Sequence, residues 1–177
     1  MAENDLPISR ANVAQAYEEL MHRYPLFFRA AHFPATHPCD LANQGITCGF
    51  GWYSLIDKAA CSIEGELRAA LMTISKNNVL ASVERRMQGL TPDILAGDEG
   101  HEEKPHALIP FCRGITSENG KLSIDISSGY LESGQAWFRI REAADLAYAI
   151  SVITCETCGS KTRRYNTYRC PICQSSP

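Results

Sequence analysis

No run of about 18 consecutive apolar residues occurs anywhere in the 177-residue chain, so no segment reads as a membrane-spanning helix. The opening residues, Met1–Asp5, are polar and acidic, and no apolar stretch behind them resembles a signal peptide. The chain is therefore expected to be cytoplasmic. Also missing are a P-loop, a dinucleotide-binding glycine fingerprint, an H-E-x-x-H pair and a nucleophile elbow, and no internal repeat is visible. Those absences remove the commonest enzyme signatures, and a non-enzymatic protein is expected.

What is present is ordinary in bulk and uneven in detail. A hydrophobic share of 45% and a charged share of 21% suit a soluble globular domain. A chain of this length buries roughly two-thirds of its unfolded surface, enough for a real core. The net charge of −3 divides into a body of −6 over residues 1–154 and a tail of +3 from Cys155 onward. An acidic body is a poor general partner for nucleic acid, whereas a basic tip can still meet phosphate.

Periodicity predicts a helix over 10–24, with Val13, Tyr17, Leu20, Met21 and Tyr24 on one face and Pro25 as its stop. Residues 26–51 carry Pro34, Pro38, Gly45, Gly49 and Gly51 among apolar residues, which reads as an ordered loop that packs. A long apolar stripe then runs through Trp52, Leu55, Ile56, Ala59, Ile63, Leu67, Leu71 and Ile74. Asn77-Asn78 is expected to interrupt it, with a second, shorter helix through Val79–Met87 ending near Gly89. Thr91-Pro92 resembles a helix start, and 97–105 a polar surface loop. Asn119-Gly120 is the strongest hairpin signal. Leu122, Ile124 and Ile126 alternate with polar residues, and the partner strand is expected near Leu108–Thr116. A last helix over about 136–153 delivers the chain to Cys155.

Four of the eight cysteines form a C-x2-C-x11-C-x2-C pattern: Cys155, Cys158, Cys170 and Cys173. Each C-x-x-C turn points two thiolates at one place, and two such turns complete the tetrahedral four-sulfur set that zinc prefers. One structural zinc ion is the expectation. Iron in a similar site and a pair of redox dithiols are the other readings of the spacing. Between the pairs lie Lys161, Arg163, Arg164, Tyr165, Tyr168 and Arg169. They read either as a solvated ribbon tip shielding the metal or as a surface for phosphates and bases.

Other candidates carry less pattern. Cys48–Tyr53 is either a binding turn rich in free N–H groups or a bend anchored by Trp52 and Tyr53 in the core. His32, His37, Cys39 and Cys48 have the chemistry, though not the spacing, of a second metal site. Cys112 with His101 or His106 would be the elements of a thiol nucleophile, outside any known motif.

Four segments occur in a telling order: RYPLFF (Arg23–Phe28), CGFGWYSLIDKAACSIEGEL (Cys48–Leu67), GKLSIDI (Gly120–Ile126) and EAADLAYAISVITCETCG (Glu142–Gly159). Together they resemble a family of small tailed-phage and prophage proteins with a C-G-x-G-W-Y-x-L-[IL] segment and a C-terminal C-x-x-C-G zinc knuckle. The resemblance covers most of the chain after about residue 17. Residues 76–106 appear as an addition, and Ile115–Ile126 lacks the family's usual Phe and Arg. It implies a phage origin and a fold; the family has no common established activity.

The combined expectation is an α+β protein in two parts. A globular domain over 1–154 packs helices on a small antiparallel sheet, and a four-cysteine zinc ribbon or knuckle occupies 155–177. The expected role is binding a host or phage protein, for instance to inhibit a defence system such as CRISPR–Cas. Nucleic-acid binding through 161–169 and an enzyme with an unrecognised site are the alternatives.

Overall fold

Proline at position 25 cannot continue a helical hydrogen-bond ladder, and the first helix, α1 (Arg10–Arg23), ends two residues before it. The computed structural model describes residues 10–87, 109–129, 131, 134–161 and 169–175, with side chains over 12–73 in the first stretch. The Thr91-Pro92 turn, the 97–105 loop, His101 and His106 lie outside the described residues.

After α1 the chain turns sharply through Leu26–Phe28, and this turn exposes backbone donors that no helix accepts. Glu64, buried on a later helix, takes two of them: its Oε2 accepts from Leu26 N at 3.1 Å and Phe27 N at 2.9 Å. Arg68 approaches its other oxygen at 2.7 Å as an ion pair that does not meet hydrogen-bond geometry. Two short helices follow, α2 (Arg29–His32) and α3 (Asp40–Gln44), where the sequence reads as an irregular loop. Both are near one turn in length, too short to show a periodic face. Gly45, at φ 70°, ends α3 and launches strand β1 (Ile46–Thr47).

The long helix α4 spans Tyr53–Met87 without a break. The expected interruption at Asn77-Asn78 is therefore absent. Asparagine lowers helix propensity by well under about 1 kcal/mol and leaves the backbone donor intact, so it weakens a helix without ending one. On its packed side α4 buries Leu55, Ile56, Ala59, Ala60, Ile63 and Leu67. Each such residue contributes about 1.5–3 kcal/mol when fully removed from water, alanine less.

Strands β2 (Cys112–Glu118) and β3 (Lys121–Ile126) form the expected hairpin. Asn119 and Gly120 take φ values of 52° and 73°, the left-handed pair a type I′ turn requires. The sheet is not purely antiparallel, however. β1 pairs with β2 in parallel, Ile46 opposite Ile115, giving a three-stranded mixed sheet in the order β1-β2-β3. Two residues carry no alternation that a sequence reading could detect. Helix α5 (Gly134–Ser151) covers β3 and packs along α4, burying Ala136, Ile140 and Ala147. At its end Ser151 Oγ accepts the backbone N–H of Leu122 at 2.9 Å, closing part of the sheet edge. The architecture is α+β, with a core of Leu20, Phe27, Phe28, Trp52, Ile56, Ile63, Ile109, Ile115, Leu122 and Ile140.

A second pin holds the chain where it enters the sheet. Arg29 is only 3% exposed, and its guanidinium donates to the carbonyls of Leu26 (3.2 Å), Pro110 (3.1 Å) and Ile109 and lies over the Phe111 ring. Burial lowers its pKa to about 10, so it remains charged at neutral pH. Its Nε–H also donates to His37 Nε2 at 3.3 Å. His37 is therefore neutral, with its proton on Nδ1 facing Thr36 Oγ1 at 2.8 Å. Desolvation, then the charge of Arg29, depress its pKa.

Two outcomes are expected. Glu64→Ala strands two backbone donors and should cost about 3 kcal/mol of unfolding free energy, read by denaturant titration. For His37 the folded pKa lies below the unfolded value of about 6.5. Its contribution is thus present above that value and is lost as pH falls through the depressed one. A His37→Phe chain should show a flatter acid limb in a stability-against-pH series than the native chain.

Candidate metal centre

Helix α5 ends by turning its chain over on itself. Ile153 N and Thr154 N bond back to Ile150 O and Ser151 O, and Thr154 Oγ1 donates to Ile150 O at 2.8 Å. These bonds satisfy the last carbonyls of the helix and aim the backbone at Cys155. The first knuckle then closes: Gly159 N donates to Cys155 O at 2.9 Å and Cys155 N to Ser160 O at 2.8 Å. Gly159 sits at φ 74°, the left-handed conformation that reverses the chain, and a bridge joins Thr154 to Lys161.

The second pair stands on a short helix, α6 (Pro171–Ser175), with Cys170 just before it and Cys173 inside it. Gln174 N donates to Cys170 O at 3.0 Å, which fixes that turn. Cys170 N donates across the site to Cys155 Sγ at 3.2 Å, joining the two knuckles.

All four sulfur atoms lie within 4.8 Å of one another, with Cys158 and Cys170 at 3.6 Å. A tetrahedral zinc ion with Zn–S bonds near 2.3 Å sets its sulfurs about 3.8 Å apart. The four cysteines fit a metal ion, as their spacing implies. Cys155 and Cys170 are buried, Cys173 is half-buried and Cys158 is exposed. Four protein sulfurs fill a tetrahedron and leave no place for water, so such a site holds structure and does not activate a substrate. The described part comprises two knuckles, the second of them helical. Arg163, Arg164, Tyr165 and Tyr168 lie outside the described residues, while Lys161 and Arg169, at either end of that segment, are exposed.

Protonation in this cluster is unequal. The backbone N–H of Cys173 and the hydroxyl of Ser160 draw Cys170 down to about 6. Cys155 is also lowered: burial opposes ionisation there, but N–H groups from Cys158, Cys170 and Thr157 outweigh it. Cys173, donating to Cys158 and Cys170, is pushed up to about 12. A dication arriving at this set displaces the protons that remain.

The first knuckle does not stand alone. It rests on the Cys48–Tyr53 turn, which the sequence leaves open between a binding turn and a core bend. Gly51 N donates to Glu156 O at 2.7 Å, Trp52 Nε1 to Thr154 O at 2.9 Å, and Gly49 N to the Glu156 carboxylate at 3.0 Å. The other carboxylate oxygen accepts from Ser117 Oγ at 3.1 Å. A Cβ on Gly51 would overlap the backbone of Cys155, Glu156 and Gly159, and one on Gly49 would overlap Glu156. Neither glycine has positive φ. It is space, not backbone freedom, that requires glycine at 49 and 51. Trp52 is fully buried, as a core anchor would be, and its ring N–H also donates to the chain entering the knuckle. No local pattern marks this seat in the sequence, because its two halves are over a hundred positions apart in the chain.

The remaining candidates have separate partners. His32 Nε2 meets Met21 O at 3.2 Å, His37 serves Arg29, Cys39 stands at the N-cap position of α3 with only its carbonyl engaged, by Asn43 N, and Cys48 lies 3.8 Å from Tyr17 Oη. Burial pushes the Cys48 thiol up to about 12. These four do not converge, and among the described residues the one group of three or more metal-ligating side chains is the C-terminal four. Cys112 is fully buried, its thiol faces Gly114 O, and burial raises its pKa.

No family model, curated protein or solved structure matches the chain. Among the described residues no helix is long and apolar enough to cross a membrane.

Native mass spectrometry should find one divalent ion per chain, absent from Cys155→Ser and Cys170→Ser. Retention should fall as pH is lowered, because protons compete with the ion for the four thiolates.

Proposed function

We propose that this chain is a non-enzymatic binding protein of phage or prophage origin that acts in the bacterial cytoplasm on a host or phage protein. Inhibition of a defence system such as CRISPR–Cas is one concrete form of that role. The observation that carries the reading is the closed four-sulfur cluster seated on the body, where one zinc ion would serve architecture and not chemistry. The body's charge of −6 supports it, because carboxylates can occupy a basic groove built for nucleic acid. So do large apolar side chains left in solvent, with Phe138 and Ile172 each 79% exposed, the first on α5 and the second on the metal module. Aromatic side chains such as that of Phe138 are enriched at protein interfaces.

Nucleic-acid binding is the second reading. It is favoured by Lys161 and Arg169, which flank the basic segment at the metal cluster.

A tagged full-length chain incubated with bacterial lysate should retain a specific protein, and Phe138→Asp or Ile172→Asp should weaken that retention about tenfold or more. Recovery of nothing above a control chain counts heavily against protein binding. In parallel, affinity for a short DNA duplex that falls steeply with salt and vanishes in Arg163→Ala/Arg164→Ala/Arg169→Ala would install the second reading in its place.

A further inference from the structure

The Gly49–Trp52 turn directs three hydrogen-bond donors at Thr154 and Glu156, residues 102 to 107 positions further along the chain. Two of these acceptors are the carbonyls of Thr154 and Glu156, on either side of Cys155, and the third is the Glu156 carboxylate. Gly51 packs against the carbonyl of Cys155 and the amide of Gly159, the two groups whose mutual bond closes the knuckle. Glu156, between the cysteines, clamps the knuckle to the turn through one oxygen and to β2 through the other. None of these residues offers a ligand atom to the cluster.

We infer that Gly51, Trp52 and Glu156 are positioning residues of the metal centre, setting its affinity without touching the ion, and that the occupied centre in turn holds the turn in place. The inference rests on the reading that the four cysteines bind a metal. A free C-x-x-C segment must lose conformational freedom as the ion binds, whereas a seated one has been ordered by the body already. Linkage makes the effect mutual: whatever the seat adds to metal affinity, the metal adds to the docking of the seat. An autonomous knuckle resting on a shelf would show neither effect.

The test uses the full-length chain and zinc ion in competition with a chromophoric chelator. Gly51→Ala introduces the overlap. Trp52→Phe keeps the buried ring and removes the donor to Thr154, and Glu156→Ala removes both clamps. Gly65→Ala on α4, where an added Cβ meets nothing within 4 Å, is the control. The three seat variants should bind zinc about tenfold more weakly or worse, the range seen when groups supporting metal ligands are removed, and the control should match the native chain. Zinc should also raise the unfolding temperature of the native chain more than that of the variants.

If Gly51→Ala does not fold, Trp52→Phe and Glu156→Ala still decide the matter. Folded variants within twofold of native affinity would overturn the inference and leave the metal site standing. A native chain that binds no zinc would instead remove the metal reading, and this inference with it.

Discussion

Everything at the C-terminal end of this protein depends on two peptide planes being allowed to touch. Gly49 and Gly51 bring one backbone so close to another that no side-chain carbon fits between them, and Gly51 N reaches Glu156 O at 2.7 Å. Close approach of this kind turns a weak surface contact into a docked interface, because polar groups are paired and water is shut out together. The tryptophan beside them adds its bulk to the core and its ring N–H to the same interface. Remove that proximity and the cysteine module loses every hydrogen bond described between it and the turn.

The segments Arg23–Phe28, Cys48–Leu67, Gly120–Ile126 and Glu142–Gly159 hold one another in the fold. Phe27 N in RYPLFF donates to Glu64, which lies in the long Cys48–Leu67 segment; Phe27 O accepts from Cys112 N as the sheet begins. Gly49, Gly51 and Trp52 of that same long segment receive the knuckle at Cys155–Gly159. Leu122 in the hairpin is tied to Ser151 just before the knuckle. These contacts tie the four segments into one continuous framework.

How far the sequence could be read follows from the range of each interaction. Asn119-Gly120 declared its hairpin because the turn is decided by two adjacent residues, and the cysteine spacing declared its cluster because each knuckle is local. The helices around Tyr17, Ile63 and Ile140 were legible from their apolar faces. The continuity of α4 past Asn77 was not, since a modest propensity penalty looks like a break when read alone. β1 was too short for any pattern. Glu64 and Arg29 were silent for a different reason: a buried charged residue is spelled like an exposed one, and only the folded chain shows which backbone groups it answers. Glu156 is the sharpest instance, a lone acid among basic neighbours that proves to be a clamp.

The distance along the chain between the seat and the knuckle also has a bearing on how the protein is made. At about 5–20 residues per second, a ribosome delivers the Gly49–Trp52 turn roughly 5–20 s before it delivers the residues that cover it, which lie 102 to 107 positions later. Helix formation and collapse are complete many orders of magnitude sooner. During synthesis, then, the first half of the fold waits with an open slot and an indole N–H turned to water. Closing so long a loop costs more entropy than a local contact and cannot precede the synthesis of its far end. The slot at Gly49–Trp52 is thus filled only once Cys155–Gly159 has been made, and a four-sulfur site is complete only once Cys173 has followed.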